Sequence, residues 1–331
     1  MTEAKRIVVT GATGMIGAKL CARLIQQGYQ VVVFSRDPQK ARRSVPGAAE
    51  YVAWTPAENG AWASTIDGAH GIIHLAGASL FGKRWSAEYK REIMASREIG
   101  TRGIVNAIAS AQRKPAVFVS MSAVGIYGPH GAETLDESAP AGNDFLAQVC
   151  KAWEREAARA EQLGVRTVIF RSGVVLSAPG KGLPIDLGKA SLERPGVVLD
   201  TEAGALPLLV LPFHFFTGGP VLPGTQYLSW IHEDDTVGLL IKALEDDRAR
   251  GPLNATAPDP QSNAAIARTI GRVMGRPSWL PVPGFAMHIL LGEMADMITT
   301  GQRVLPKKAQ ELGYTFAYPN SEQAIRQLLG K

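Results

Sequence analysis

The chain has 331 residues, 46% hydrophobic and 20% charged, the proportions of a globular protein with enough apolar side chains for one large or two modest cores. The formal net charge is +5 and the basic residues are scattered, which argues against a nucleic-acid partner. Two cysteines, Cys21 and Cys150, stand far apart, and no histidine shows metal-ligand spacing; the expectation is no metal and a reducing compartment. Met1 to Arg6 is short and polar, so no signal peptide is expected. No stretch reaches the roughly 18 apolar residues of a membrane span. The nearest, residues 205–216, is short and holds two prolines and a histidine. These features predict a cytoplasmic protein with no membrane partner.

In chain order, Arg6–Thr10 is a β-branched run that ends in a glycine loop, and residues 14–27 follow with apolar side chains at helical spacing, stopped by Gly28. Gln30–Phe34 is a second strand, residues 69–75 contain a third, residues 96–112 read as a helix, and residues 116–120 as a strand. A long helix over 145–163 precedes a strand over 166–171. Fully apolar strands alternating with helices predict a parallel sheet covered on both faces. Residues 178–225 are rich in Pro and Gly and predict a loop-rich insertion. Regular patterning returns at residues 227–232, with helices predicted over 234–244, 264–274, 285–298 and 321–329.

Gly11, Gly14 and Gly17 have the spacing G-x-x-G-x-x-G between a strand and a helix. The first glycine permits a tight turn, the second a close approach of backbone to a pyrophosphate, and the third close packing of helix on strand. The free N–H groups and positive dipole end of the helix then face the phosphates. Thr10, Gly11, Thr13, Gly14, Met15, Ile16 and Gly17 are the candidate phosphate cradle. An acidic residue ending the second strand would favour NAD by binding the ribose hydroxyls. Here Ser35 and Arg36 stand there, and a guanidinium suits a 2′-phosphate, so the expected cofactor is NADP(H). Asp37 fits a cap for a helix starting at Pro38.

The stretches Thr10–Gly17, His74–Gly77, Ser120–Gly128 and Ser229–His232 resemble an extended short-chain dehydrogenase/reductase. Lys83-Arg84-Trp85, Ser96-Arg97, Ala152-Trp153-Glu154, Gly292–Asp296, Gly301–Val304 and Leu312–Pro319 narrow the resemblance. They point to the atypical epimerase-like branch, labelled nucleoside-diphosphate-sugar epimerase or cell-division inhibitor type, with a small C-terminal domain. The match spans nearly the whole chain, with residues 178–203 longer than the family norm. The resemblance implies an α/β fold, a Rossmann-type doubly wound parallel sheet of about seven strands with a second, smaller α+β domain. The division it implies is 1–175 plus 226–250 for the cofactor domain, and 176–225 plus 251–331 for the substrate side. It further implies that Leu75, Ala76 and Gly77 line the cofactor. Ser120, Arg171 and Gly173 would then lie near its nicotinamide end, and helices 96–112 and 145–163 would be the candidate faces of a homodimer, although their outer faces are not strongly apolar.

The parent superfamily uses Ser with Tyr-x-x-x-Lys, the lysine lowering the tyrosine pKa for proton exchange and contacting the nicotinamide ribose. Here Phe145 stands at the tyrosine position, and Lys151, six residues on, is turned by about 600° to another helix face. Ser122 and Tyr127 are therefore the candidate catalytic residues. Lys83, Arg84 and Trp85 form a candidate clamp for an anionic or sugar-phosphate substrate, and His232 reads as structural. An NADP-dependent oxidoreductase or epimerase-like enzyme with an unknown small-molecule substrate is the leading expectation. The alternative is a non-catalytic NADPH-binding regulator that lacks the Tyr-Lys pair.

Overall fold

The computed structural model describes residues 4–56, 60–178 and 205–331. A seven-stranded sheet is built from β1 (Arg6–Thr10), β2 (Gln30–Ser35), β3 (Glu50–Ala53), β4 (Gly71–His74), β5 (Val117–Ala123), β7 (Arg166–Ser172) and β11 (Gly251–Ala255). Its spatial order is β3-β2-β1-β4-β5-β7-β11 and every pairing is parallel. The chain runs outward from β1 to β3, then crosses back to lay β4 on the other side of β1. That reversal opens a crevice beyond the carboxyl ends of β1 and β4, where open α/β sheets bind ligands. Helices α1 (Met15–Gln26), α2 (Pro38–Ser44), α3 (Ala87–Ser110), α4 (Phe145–Ala158) and α6 (Glu233–Glu245) complete this unit. Ile7, Val9, Val31, Val33, Val119 and Val168 point to one face and Val8, Val32, Ile72 and Phe118 to the other, forming two separate apolar cores. Burial on both faces is the reason these strands read as unbroken apolar runs.

A third core joins Leu176, Leu206, Phe213, Trp230, Ile266, Ile270 and Ile325. It lies among β8 (Val174–Leu176), α5 (Leu206–His214), β10 (Trp230–His232), α7 (Asn263–Met274) and α11 (Ser321–Leu328). Short strands β6 (Thr134–Leu135), β9 (Tyr227–Leu228), β12 (Gln261–Ser262) and β13 (Arg303–Val304) complete the chain, with helices α8 (Gly284–Leu291), α9 (Asp296–Thr299) and α10 (Lys307–Glu311). The smaller region expected from the sequence is present, but β11 pairs with β7 in the main sheet, so residues 251–255 fall on the other side of the boundary expected at 250.

Several elements depart from the sequence expectations. Helix α3 begins nine residues before Ser96, because the Ser86 hydroxyl caps it by accepting from Tyr89 N at 3.1 Å. Within the Pro- and Gly-rich stretch, residues 179–204 lie outside the described residues. Helix α5 nevertheless forms there, with Pro207 in its first turn and Leu206, Val210 and Phe213 buried along one side. Helices α3 and α4 pack on each other within the chain, tied where Arg102 donates to Glu156. No helix among the described residues is long and apolar enough to cross a membrane, and no group of three or more His, Cys, Asp or Glu among them could hold a metal.

Candidate functional site

The glycine loop is shaped by three contacts. Gly11 sits at φ +67°, and a Cβ there would lie 2.9 Å from the Leu75 carbonyl carbon. Gly17 is tighter, since its Cβ would come within 2.2 Å of Gly11 O and 2.8 Å of Ala12 Cα. Gly14 is exposed and would set a Cβ no closer than 3.4 Å to Gly11 O. Two glycines thus press backbone against backbone, and the middle one faces open space. Gly14 N-caps α1 with no side-chain bond and no acidic residue follows in the first turn. The helical ladder starts with Ala18 N donating to Gly14 O at 2.9 Å. The amides of Met15, Ile16 and Gly17 precede that rung, so their N–H groups and the positive helix end point into the crevice. A phosphate fits these donors.

At the end of β2, Asp37 is occupied as the cap of α2, accepting from Lys40 N at 2.9 Å. Ser35 Oγ accepts from Asp37 N at 3.2 Å. Arg36 is exposed, and no ion pair or hydrogen bond engages it among the described residues. With Asp37 turned to the helix, the charge this strand end offers the crevice is that of Arg36.

The loop after β4 is fastened to β1. Ala76 N donates to Thr10 Oγ1 at 3.2 Å, and the same hydroxyl lies 2.7 Å from His74 Nδ1. Full burial pushes the His74 pKa down to about 3, so its imidazole stays neutral. Farther along the loop, Ala78 N donates to Ser96 Oγ at 3.0 Å, and Gly77 lies against the Arg97 guanidinium. Leu75, Ala76 and Gly77 therefore form a wall beside the glycine loop.

Beneath the ends of β5 and β7 lies a buried polar network. Ser122 Oγ donates to Glu154 Oε1 at 2.7 Å. Arg171 grips the same carboxylate with two bonds, at 2.9 and 2.8 Å, and donates to Tyr127 Oη at 2.9 Å. Tyr127 in turn donates to Asn254 Oδ1 at 2.7 Å. Asn254 N and Lys308 N both donate to Glu137 Oε1, at 3.0 and 3.1 Å. Burial, the largest influence, pushes the Tyr127 pKa up despite the neighbouring Arg171 charge, and Tyr127 is fully buried. Both candidate catalytic hydroxyls are thus donors inside this network, which joins β5, α4, β7 and β11. Ser120 is also buried, its hydroxyl directed at Met121 O. Gly173 has a packing reason, since a Cβ would sit 2.3 Å from Ser229 O. The partners Glu154, Glu137 and Asn254 escaped sequence reasoning. Glu154 lay in a recognised stretch without a role, and no local pattern marks the other two.

The proposed clamp is split. Lys83 is exposed and 3.5 Å from Glu92. Arg84 lies over Gly292, where its Nε would be 2.9 Å from a Cβ. Trp85 Nε1 donates to Leu80 O at 2.9 Å, and its ring meets Phe145 edge-on at 5.2 Å. Trp85, Phe145 and Val149 belong to one apolar cluster with Tyr89 and Ile93. The α4 face that carries Tyr-x-x-x-Lys in the parent superfamily is therefore apolar at both positions. Lys151, on another face, donates to Asn143 Oδ1 at 3.2 Å. His232 is structural: its Nδ1 accepts from Asp234 N at 3.1 Å to cap α6, and its Nε2 lies 2.9 Å from Gln327 Oε1.

Comparison with known proteins finds relatives over nearly the whole chain. A family model described as the NAD dependent epimerase/dehydratase family matches residues 7–255, and a domain of unknown function, DUF1731, matches residues 282–328. The chain is 38% identical to the chloroplastic epimerase family protein SDR39U1 homolog of Arabidopsis thaliana, over 98% of this chain and 86% of that one. It is also 38% identical to the epimerase family protein YfhF of Bacillus subtilis, over 98% and 97%. The crystal structure of human epimerase family protein SDR39U1 with NADPH superposes with a TM-score of 0.82 at 29% identity, covering 98% of this chain and 99% of that chain.

Proposed function

The chain belongs to the NAD dependent epimerase/dehydratase family, and from that premise we propose that it is an NADP(H)-binding oxidoreductase or epimerase-like protein acting on a carbonyl or sugar-nucleotide-like substrate. The observation that carries this reading is the uncapped start of α1 behind Gly14, with Gly11 and Gly17 packed to hold it open. Thr13, Gly14, Met15, Ile16 and Gly17 hold the pyrophosphate on backbone N–H groups. Ser35 and the unpaired Arg36 hold the 2′-phosphate, and Leu75, Ala76 and Gly77 flank the cofactor. NADPH in the related human structure supports the choice of cofactor. When bound, the nicotinamide supplies or accepts a hydride. Gly173 brings the β7 end close to Ser229, Ser122, Tyr127 and Arg171 hold the floor below the reacting end from inside their network, and Ser120 lies buried beside them on β5. Trp85 and Phe145 wall it from the side and exclude water.

The test is a fluorescence titration. NADPH should bind at least about tenfold tighter than NADH, and Arg36→Ala should remove most of that gap, since one bidentate charged contact is lost. Equal affinities in the unaltered protein would overturn the Arg36 assignment. A second reading, a non-catalytic NADPH-binding regulator, is favoured by one observation: Phe145 and Val149 leave the α4 face without a proton donor. NADPH consumption with a panel of aldehydes, ketones and nucleotide sugars separates the two. Turnover supports the enzyme, whereas tight binding without turnover across the panel supports the regulator.

A further inference from the structure

The guanidinium of Arg97 is a cation held under the cofactor wall with no carboxylate to neutralise it. Arg97 lies on α3, partly buried, its Cζ 3.0 Å from where a Cβ of Gly77 would stand and 5.1 Å from the centre of the Trp153 ring. Its one hydrogen bond among the described residues runs from Nη1 to Ile93 O at 3.1 Å. On the same helices Glu98 accepts from Arg102 and Arg155, Glu154 from Arg171 and Ser122, and Glu156 from Arg102 and Arg159, and no ion pair joins Arg97 to any carboxylate among the described residues. A guanidinium has five N–H donors and stays charged in proteins. Bringing one out of water without a counter-charge costs free energy, which an anion in the crevice returns. The neighbour Ser96 fixes the same loop by accepting from Ala78 N, so the loop and the cation are positioned together. A Cβ at Gly77 would crowd the guanidinium, at 3.0 Å from Cζ and 3.2 Å from Nη2.

We infer that Arg97 is an oxyanion receptor beside the reacting end of the crevice, taking a phosphate or carboxylate group. Two sources share this chemistry: the nicotinamide-side phosphate of the cofactor and an anionic group on the substrate. Arg97 packs on Trp153 of α4, which covers β5, whereas Arg36 follows β2 on the other side of β1, so the anion on Arg97 is distinct from the 2′-phosphate. The inference rests on the proposed cofactor reading.

The experiment compares the unaltered protein with Arg97→Gln and Arg97→Lys, each first checked for an unchanged near-ultraviolet circular dichroism spectrum. Affinities are measured for NADPH and for adenosine 2′,5′-bisphosphate, which lacks the nicotinamide-side phosphate. Inorganic phosphate is then titrated into the NADPH-saturated protein. If the cofactor phosphate sits on Arg97, Arg97→Gln weakens NADPH about tenfold or more and leaves the bisphosphate unchanged. If a substrate anion sits there, NADPH affinity holds, and inorganic phosphate raises the melting temperature of the unaltered complex but not of Arg97→Gln. Either result supports the receptor, with Arg97→Lys intermediate because it keeps the charge and loses the fork. Unchanged NADPH affinity together with an unchanged phosphate response overturns it. Should Arg97→Gln fail to fold, Arg97→Lys carries the same comparison, a parallel loss for NADPH and the bisphosphate marking a merely structural role. Failure of the unaltered protein to bind either nucleotide would refute the cofactor reading itself, a separate outcome.

Discussion

Exchanging the glycines of the loop one at a time separates ligand binding from folding. Gly14 has φ −77° and ψ 171°, extended values open to any residue, and a Cβ there has 3.4 Å to its nearest neighbour, Gly11 O. Gly14→Ala should therefore change stability by less than about 1 kcal/mol, the range for an N-cap exchange of this kind. The added methyl projects from an exposed residue at the helix start, where the backbone must approach the pyrophosphate. Displacing the phosphate and weakening two charge-assisted N–H bonds should cost about 2–3 kcal/mol of binding, or roughly 30- to 150-fold in Kd. Gly17→Ala reverses the pattern. Its methyl would meet Gly11 O at 2.2 Å and Ala12 Cα at 2.8 Å, backbone atoms that cannot swing away, so about 1–3 kcal/mol or more of stability should be lost. Urea denaturation gives the stability of each variant and NADPH fluorescence titration gives its Kd. An intact Gly14→Ala variant that binds NADPH as tightly as the unaltered protein would refute the argument, because the phosphate could not then lie over Gly14.

Two further outcomes follow from the buried polar groups. Glu154→Ala leaves Arg171 charged and without its bidentate partner in a site where both side chains are about one-tenth exposed; urea denaturation should show a loss of about 3–5 kcal/mol, and a loss below about 1 kcal/mol, the value for a surface pair, would contradict the burial argument. His74, normally near 6.5, is held at about 3 in the folded chain. The unfolded chain therefore takes up a proton first, and the stability contributed by neutral His74 is full above pH 6.5 and drains away as pH falls toward 3. A His74→Asn variant should flatten the stability–pH slope in that window by up to one proton, about 1.4 kcal/mol per pH unit, and identical slopes would count against it.

The strand, glycine turn and helix start were legible because their physics is local. Gly11, Gly14 and Gly17 act through the strand, turn and helix that contain them, and those elements follow from apolar spacing over about 20 residues. Asp37 was readable as a cap for the same reason, its bond reaching only three residues to Lys40. Edge strand β3 was not foreseen because Glu50-Tyr51-Val52-Ala53 is short and half-exposed, and β11 because Gly251-Pro252 begins it without an apolar run. Their pairing with β2 and β7 depends on partners more than 15 residues away in sequence.

The roles of Ser122, Tyr127 and Arg171 were decided by tertiary structure alone. A hydroxyl in a familiar motif can face a substrate or a buried carboxylate, and only the arrival of Glu154 from α4 and Asn254 from β11 turned these two inward. Arg97 is the converse: its residue type was in plain view, but its lack of a counter-charge appears only once α3, α4 and the Gly77 loop are together. The sequence by itself determined the glycine turn and the open helix start behind it, since a strand, a turn and a first helical turn need no distant partner. Which side chains remain free to meet a substrate was left to the tertiary structure, since a polar group is free only when no other part of the chain reaches it.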